Sequence, residues 1–151
     1  MTKHLLALDH RKIAGFFKAD DIQGLARHKG YVRALQEAGL SYDPDRCCVV
    51  SLQRTGEQKP SMAVLEFLRE GKMPDGIVCY NDQIAVQVTE TLARQGVEIP
   101  GDVSVTGYDN SLYAQRGDGI TTIAHPQEKL GEMAAELLLE KINHIPEEES
   151  K

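Results

Sequence analysis

Two polar corners, Tyr80-Asn81-Asp82-Gln83 and Gly107-Tyr108-Asp109-Asn110-Ser111, concentrate the side chains of this chain that could hold a ligand. Each directly follows a short β-rich run, 76–79 and 103–106. A third polar group, Asp20, Asp21 and Gln23, follows the run 12–17. Carboxylates and amides accept and donate hydrogen bonds at fixed angles, and Tyr80 adds a ring face, which together suit a small hydroxylated ligand. In an open parallel sheet, ligands bind at the carboxyl ends of the strands, and that is the edge these corners occupy.

Asp20, Asp21, Asp82 and Asp109 could instead form the carboxylate cluster of a phosphotransfer or metal site. A phospho-acceptor receiver domain, similar in length and fold class, is the natural rival. It needs an acceptor aspartate after its third strand, where this chain has Tyr80-Asn81, and a lysine at a late proline corner, where Ala124-His125-Pro126 stands. No Gly-x-Ser-x-Gly elbow and no glycine-rich phosphate loop is present. The sequence therefore predicts a binding module: no enzyme, no cofactor, no metal site. Cys47, Cys48 and Cys79 lie in apolar runs without the paired spacing of a zinc site, and are expected as reduced core thiols of a cytoplasmic protein.

The elements that must position these corners follow from pattern. Strand-like runs at 12–17, 47–51, 76–79, 103–106 and 121–124 alternate with helical patterns at 22–38, 59–70, 82–95 and 127–143. Such alternation predicts an α/β fold, a doubly wound parallel sheet flanked by helices. Val64, Leu65, Phe67 and Leu68 mark one side of the second helix, and Leu130, Met133, Ala134, Leu137, Leu138 and Ile142 recur at helical spacing in the last. Gly39, Gly71 and Gly96 stand at helix ends, and Pro146 follows the last helix.

A length of 151 residues with 41% apolar content suits a single domain, 1–145, with a frayed acidic tail at 146–151. The formal charge of −6 has the wrong sign for gripping a phosphate backbone. No run approaches the roughly 20 apolar residues of a membrane span, and residues 1–10 are too short and polar for a signal peptide.

Several phrases together resemble the effector-binding domain of LacI/GalR-type bacterial transcription regulators. They are His10-Arg11-Lys12-Ile13-Ala14-Gly15, Arg27-His28-Lys29-Gly30-Tyr31, the whole of 73–85 around Tyr80-Asn81-Asp82, 96–109 ending in Gly107-Tyr108-Asp109, Ile120-Thr121-Thr122-Ile123, and 130–138. A narrower resemblance, carried by 14–24 and Cys79-Tyr80-Asn81-Asp82, is to the arabinose-responsive repressors, which join such a domain to a GntR-like winged helix. The resemblance implies one lobe of a periplasmic-binding-protein-like type I domain, the C-terminal subdomain. It implies a sugar effector, L-arabinose, a homodimer in the full protein, and DNA contact only through a separate N-terminal head. Residues 2–8 would be the last helix before a first crossover and 123–125 a second crossover, so apolar surface of 1–9 and of the helix after Pro126 would await the other lobe.

Carried over position by position, the family's ligand set falls on Arg27, Asn81, Asp109 and His125, where the family often has Gln in place of the histidine. Asp21 and Gln23 would reach the same cleft. Local chemistry offers each a second role: an ion pair of Arg27 with Asp20 or Asp21, helix capping by Asn81, an Asx-turn at Asp109, a crossover shaped by His125. The alternative function is a dimerisation module, with the helices at 59–70 and 82–95 as the paired surface.

Overall fold

Apolar runs bounded by turn residues become four parallel strands: β1 (Ile13–Phe17), β2 (Cys47–Val49), β3 (Gly76–Cys79) and β4 (Ser104–Thr106). The computed structural model describes residues 1–50, 59–115 and 120–144. Five α-helices accompany the strands among these residues: α1 (Thr2–Ala7), α2 (Ile22–Glu37), α3 (Pro60–Arg69), α4 (Asp82–Arg94) and α5 (Gln127–Asn143). The sheet order is β2-β1-β3-β4, with Gly15 opposite Cys47, Ile13 opposite Gly76, and Gly76 opposite Ser104. The chain leaves β1 toward β2 on one side, yet β3 lies on the other. The connections after β1 and β3 therefore diverge, which opens a crevice at their carboxyl ends.

Adjacent strand residues point to opposite faces, and β1 shows it. The Phe16 ring meets Phe67 of α3 edge-on at 6.2 Å, whereas Phe17 meets Tyr31 of α2 at 5.4 Å. Helices α1 and α2 thus share one face and α3 and α4 the other. The core is contiguous through Phe16, Ile77, Ile84, Val88, Leu92 and Val64, all at most 1% exposed. Tyr31 fixes α2 on the sheet by donating its hydroxyl to the Ile13 carbonyl at 2.8 Å. Gly39, Gly71 and Gly96 each follow a helix C-cap at φ +74°, +63° and +75°, the left-handed conformation that expected helix ends require.

The structure corrects several expectations. Residues 121–124 form no regular strand: two isolated parallel bridges, Thr106 with Thr121 and Asp109 with Ala124, hold them beside the end of β4. The Gly107 and Asp109 amides donate to the Thr121 and Ile123 carbonyls, so the segment braces the corner rather than extending the ladder. Helix α1 is partly covered within this chain, while Leu8 just after it stays exposed. The helix packs on α2, with Leu5 and Thr2 buried, because the Leu5 methyl fits over Gly76, where a Cβ would lie 3.1 Å away.

In α3 the buried face is Pro60, Ala63, Val64 and Phe67, spaced i, i+3, i+4 and i+7, which turns Leu65 toward solvent. Strands β1, β2 and β4 are one or two residues shorter than their apolar runs, and β3 matches its run. Ser51, Pro146 and the acidic tail lie outside the described residues. Helix α5 buries no residue at all, and its Leu130, Met133, Leu137, Leu138 and Ile142 are each at least half exposed.

Candidate functional site

The crevice is built by the turns after β1, β3 and β4. After β1, Asp21 caps α2 by accepting the Gly24 N–H, and its other oxygen accepts the Tyr80 hydroxyl at 2.8 Å. Lys18 stands 3.6 Å from Asp21 and 3.7 Å from Asp20. The Gly24 bond, helped by Tyr80 and Lys18, holds the Asp21 carboxyl below the usual aspartate range. Burial, reinforced by the bond to Asp21, pushes the Tyr80 phenol up to about 12, so it remains a neutral donor.

Two turns into the site, Arg27 is the organising group. Its guanidinium lies 3.9 Å from the Tyr108 ring centroid and 4.5 Å from that of Tyr80. It donates to the Tyr80 carbonyl and faces the Asp109 carboxylate at 3.4 Å. Only 18% of the side chain is exposed. Cation–π contact with two rings and the bond to the Tyr80 carbonyl restrict the fork to a narrow range of positions. The same Asp109 oxygen is 3.4 Å from His125 Nε2, and the His125 ring stands edge-on to Tyr108 at 5.1 Å. A cavity of about 280 Å³ runs from Arg27 and Tyr108 along Tyr31, Phe17, Val78 and Ile123.

Arg27, Asp109 and His125 thus converge, with Tyr80 and Tyr108 as walls. The alternative ion pair of Arg27 with Asp20 or Asp21 does not form, since Lys18 takes both carboxylates. Asn81 keeps its local role, with Oδ1 accepting the Ile84 N–H at 3.0 Å as the α4 cap. Asp21 is drawn in only indirectly, through Tyr80. Gln23 is exposed on the first turn of α2 and its side chain makes no hydrogen bond among the described residues. Tyr108 was the residue that sequence reasoning passed over as a contact. Its place in the Gly107-Tyr108-Asp109 corner was the available signal.

The arrangement offers donors from Arg27, an acceptor carboxylate from Asp109 and the aromatic faces of Tyr80 and Tyr108, a set whose chemistry suits a polar ligand. Among the described residues no group of three or more His, Cys, Asp or Glu could hold a metal ion. No described helix is long and apolar enough to cross a membrane. Cys47, Cys48 and Cys79 are all free thiols, the last two buried.

A parallel sheet with helices on both faces and a polar crevice at its switch point defines an open α/β lobe of the kind that receives ligands at its strand ends. The chain belongs to the periplasmic binding protein-like domain family, whose profile matches residues 2–151. Its similarities run to transcription regulators of LacI type. It is 37% identical over 145 residues to the arabinose metabolism transcriptional repressor of Geobacillus stearothermophilus, spanning 94% of this chain and 40% of that protein. It is 34% identical over 143 residues to the HTH-type transcriptional repressor PurR of Aliivibrio fischeri, spanning 93% and 42%.

Among solved structures, the regulator CelR in complex with cellobiose superposes with a TM-score of 0.79 at 28% identity, over 94% of this chain and 43% of that one. A LacI family regulator from Silicibacter pomeroyi gives 0.81 at 30%, over 95% and 53%. The chain spans about two fifths of the length of these curated relatives, which are repressors rather than enzymes.

Proposed function

We propose that this chain is the C-terminal lobe of the effector-binding domain of a sugar-responsive transcription repressor, and that its effector is L-arabinose. The observation that carries the reading is the Arg27 fork, set over the rings of Tyr80 and Tyr108 and facing Asp109, which His125 also approaches. A pentose presents adjacent hydroxyls and a ring oxygen, which match an acceptor carboxylate flanked by fixed donors. The similarity to arabinose repressors supports that sugar, and the cellobiose complex of CelR supports sugars as the class. The crevice is half of a cleft. A second lobe closing over it would let the sugar favour one arrangement of the regulator, and only unequal affinity for the two arrangements can do so.

DNA contact falls to another segment, because a formal charge of −6 opposes phosphate binding. The apolar stripe of α5, exposed at Leu130, Met133 and Leu137, is the surface such a second lobe would cover. Free thiols accord with a cytoplasmic regulator. A second role, homodimerisation, is supported by exposed Met62 and Leu65 on α3 and Leu112 and Tyr113 after β4.

The test is a thermal-shift and calorimetry panel on the regulator carrying this lobe, with L-arabinose and other pentoses. At one hundred times its Kd, arabinose should add about 2.7 kcal/mol of stability, and Arg27→Ala or Asp109→Ala should abolish the shift. No shift with any sugar sinks the sugar reading and points to another class, such as a sugar phosphate or a nucleoside. The 151-residue chain alone should bind arabinose weakly or undetectably; micromolar affinity would contradict the half-cleft argument.

A further inference from the structure

We infer that Asp82 is a positioning residue that holds Asp109 and His125 in the effector crevice, acting through Ser111 and Thr122. The inference rests on the crevice being the effector site, as proposed above. Asp82 opens α4 and is 1% exposed, one of the most buried polar residues of the chain. A buried carboxylate is costly unless every lone pair it turns inward meets a donor. Asp82 meets that requirement with groups from two distant segments. Oδ2 accepts the Ser111 N–H at 2.7 Å, and Oδ1 accepts the Thr122 hydroxyl at 2.6 Å. Its own N–H donates to the Tyr108 carbonyl at 3.0 Å. The N-terminus of α4 adds a favourable dipole.

These bonds bracket the ligand groups on both sides. Tyr108 and Ser111 flank Asp109 and Asn110, which both adopt positive φ, +104° and +51°. Left-handed backbone at non-glycine residues persists only where surrounding bonds over-determine it. Thr122 lies three residues before His125, and the Thr122 hydroxyl also accepts the Asn110 N–H at 3.2 Å. The knot therefore joins the corner bearing Asp109 to the segment bearing His125, and the α4 N-terminus that carries Asn81 is its anchor. Gly107 completes it: a Cβ there would lie 2.2 Å from Asp82 Oδ1, so the close approach is open only to glycine.

Amide hydrogen exchange on the 151-residue chain tests this without any ligand. Thr122→Val removes the hydroxyl that the carboxylate needs, and Thr122→Ser restores it. Thr122→Val should speed exchange of the Ser111 and Asp109 amides at least 10-fold while Val88 and Leu92 in α4 keep their protection, and Thr122→Ser should return both amides to within about 2-fold of the parent. Exchange that accelerates equally at Val88 and Leu92 means general loosening and overturns the positioning role, as does unchanged exchange at Asp109 and Ser111. Calorimetry on the regulator carrying the lobe then reads the consequence: where the parent binds sugar, Thr122→Val should raise Kd at least 10-fold and Thr122→Ser should not. An unaltered Kd with locally faster exchange refutes the functional half of the inference. A parent that binds no sugar refutes only the sugar reading, because the exchange result stands apart from it.

Discussion

Replacing one glycine of α2 by alanine should stabilise the protein, whereas the same replacement six residues earlier should weaken it. At Gly30 a new Cβ meets nothing within 4 Å and the backbone is helical, so Gly30→Ala gains helix propensity alone, about 1 kcal/mol. At Gly24 a Cβ would lie 2.0 Å from the Lys18 carbonyl oxygen and 2.8 Å from its carbon. Those atoms are backbone at the exit of β1 and cannot rotate away, so the first turn of α2 must retreat by roughly 1.5 Å to reach ordinary contact. Overpacking of this kind costs up to about 3 kcal/mol, which outweighs the propensity gain and leaves a net loss of about 2 kcal/mol. The two variants should differ by about 3 kcal/mol, or roughly 6–12 °C in Tm for a chain of this size. Urea and thermal unfolding followed by far-UV circular dichroism suit a protein without tryptophan. Because Arg27 lies one turn further along α2, Gly24→Ala should also weaken ligand binding. Equal stability changes of the same sign in both variants would refute the geometry claimed for the first turn of α2.

The Ser111 hydroxyl is buried without a hydrogen-bond partner among the described residues, so Ser111→Ala should leave stability unchanged or raise it by about 1 kcal/mol, read from the urea midpoint; a clear loss would mean that the hydroxyl has a partner. Asp21 is held below the ordinary aspartate value by the Gly24 N–H, Tyr80 and Lys18, so its contribution is present above about pH 3.8 and fades as pH falls through the lower native value. Asp21→Asn should flatten that acid limb in urea titrations from pH 6 to pH 3, and parallel curves for parent and variant would count against the cap. Burial raises the Cys47 thiol, pushes that of Cys48 up to about 12 and raises Cys79 further. All three should therefore resist a disulfide reagent at pH 8 until urea is added, and rapid native labelling would contradict the packing of β2 and β3.

Much of the site was legible because its signals are local. Strand ends are marked by a change from apolar residues to Asp, Asn and Tyr, and the three helix-ending glycines follow from the backbone conformation each position demands. Asn81 reads as a cap from its place before a helix and caps one, whereas Asp21, expected in the cleft, proves to be the cap of α2. The alternating pattern misled where burial depended on distant partners. Leu65 falls in an apolar cluster yet faces solvent, and the apolar face of α5 lies uncovered, since periodicity states which residues share a face and never what covers it.

By itself the sequence determined the order of the elements, the parallel sheet and the gathering of polar groups at its carboxyl edge, since each follows from residue type and spacing within one short segment. Only the tertiary structure decided that Arg27 faces Asp109, 82 positions away, rather than its near neighbours Asp20 and Asp21. It alone revealed that the guanidinium lies over both Tyr80 and Tyr108, and that Asp82, a surface helix residue by type, is a buried knot 29 and 40 positions from its partners. The physical reason is the same in each case. Desolvation and hydrogen-bond satisfaction depend on which segments the strand order brings together, and that order is a property of the whole sheet.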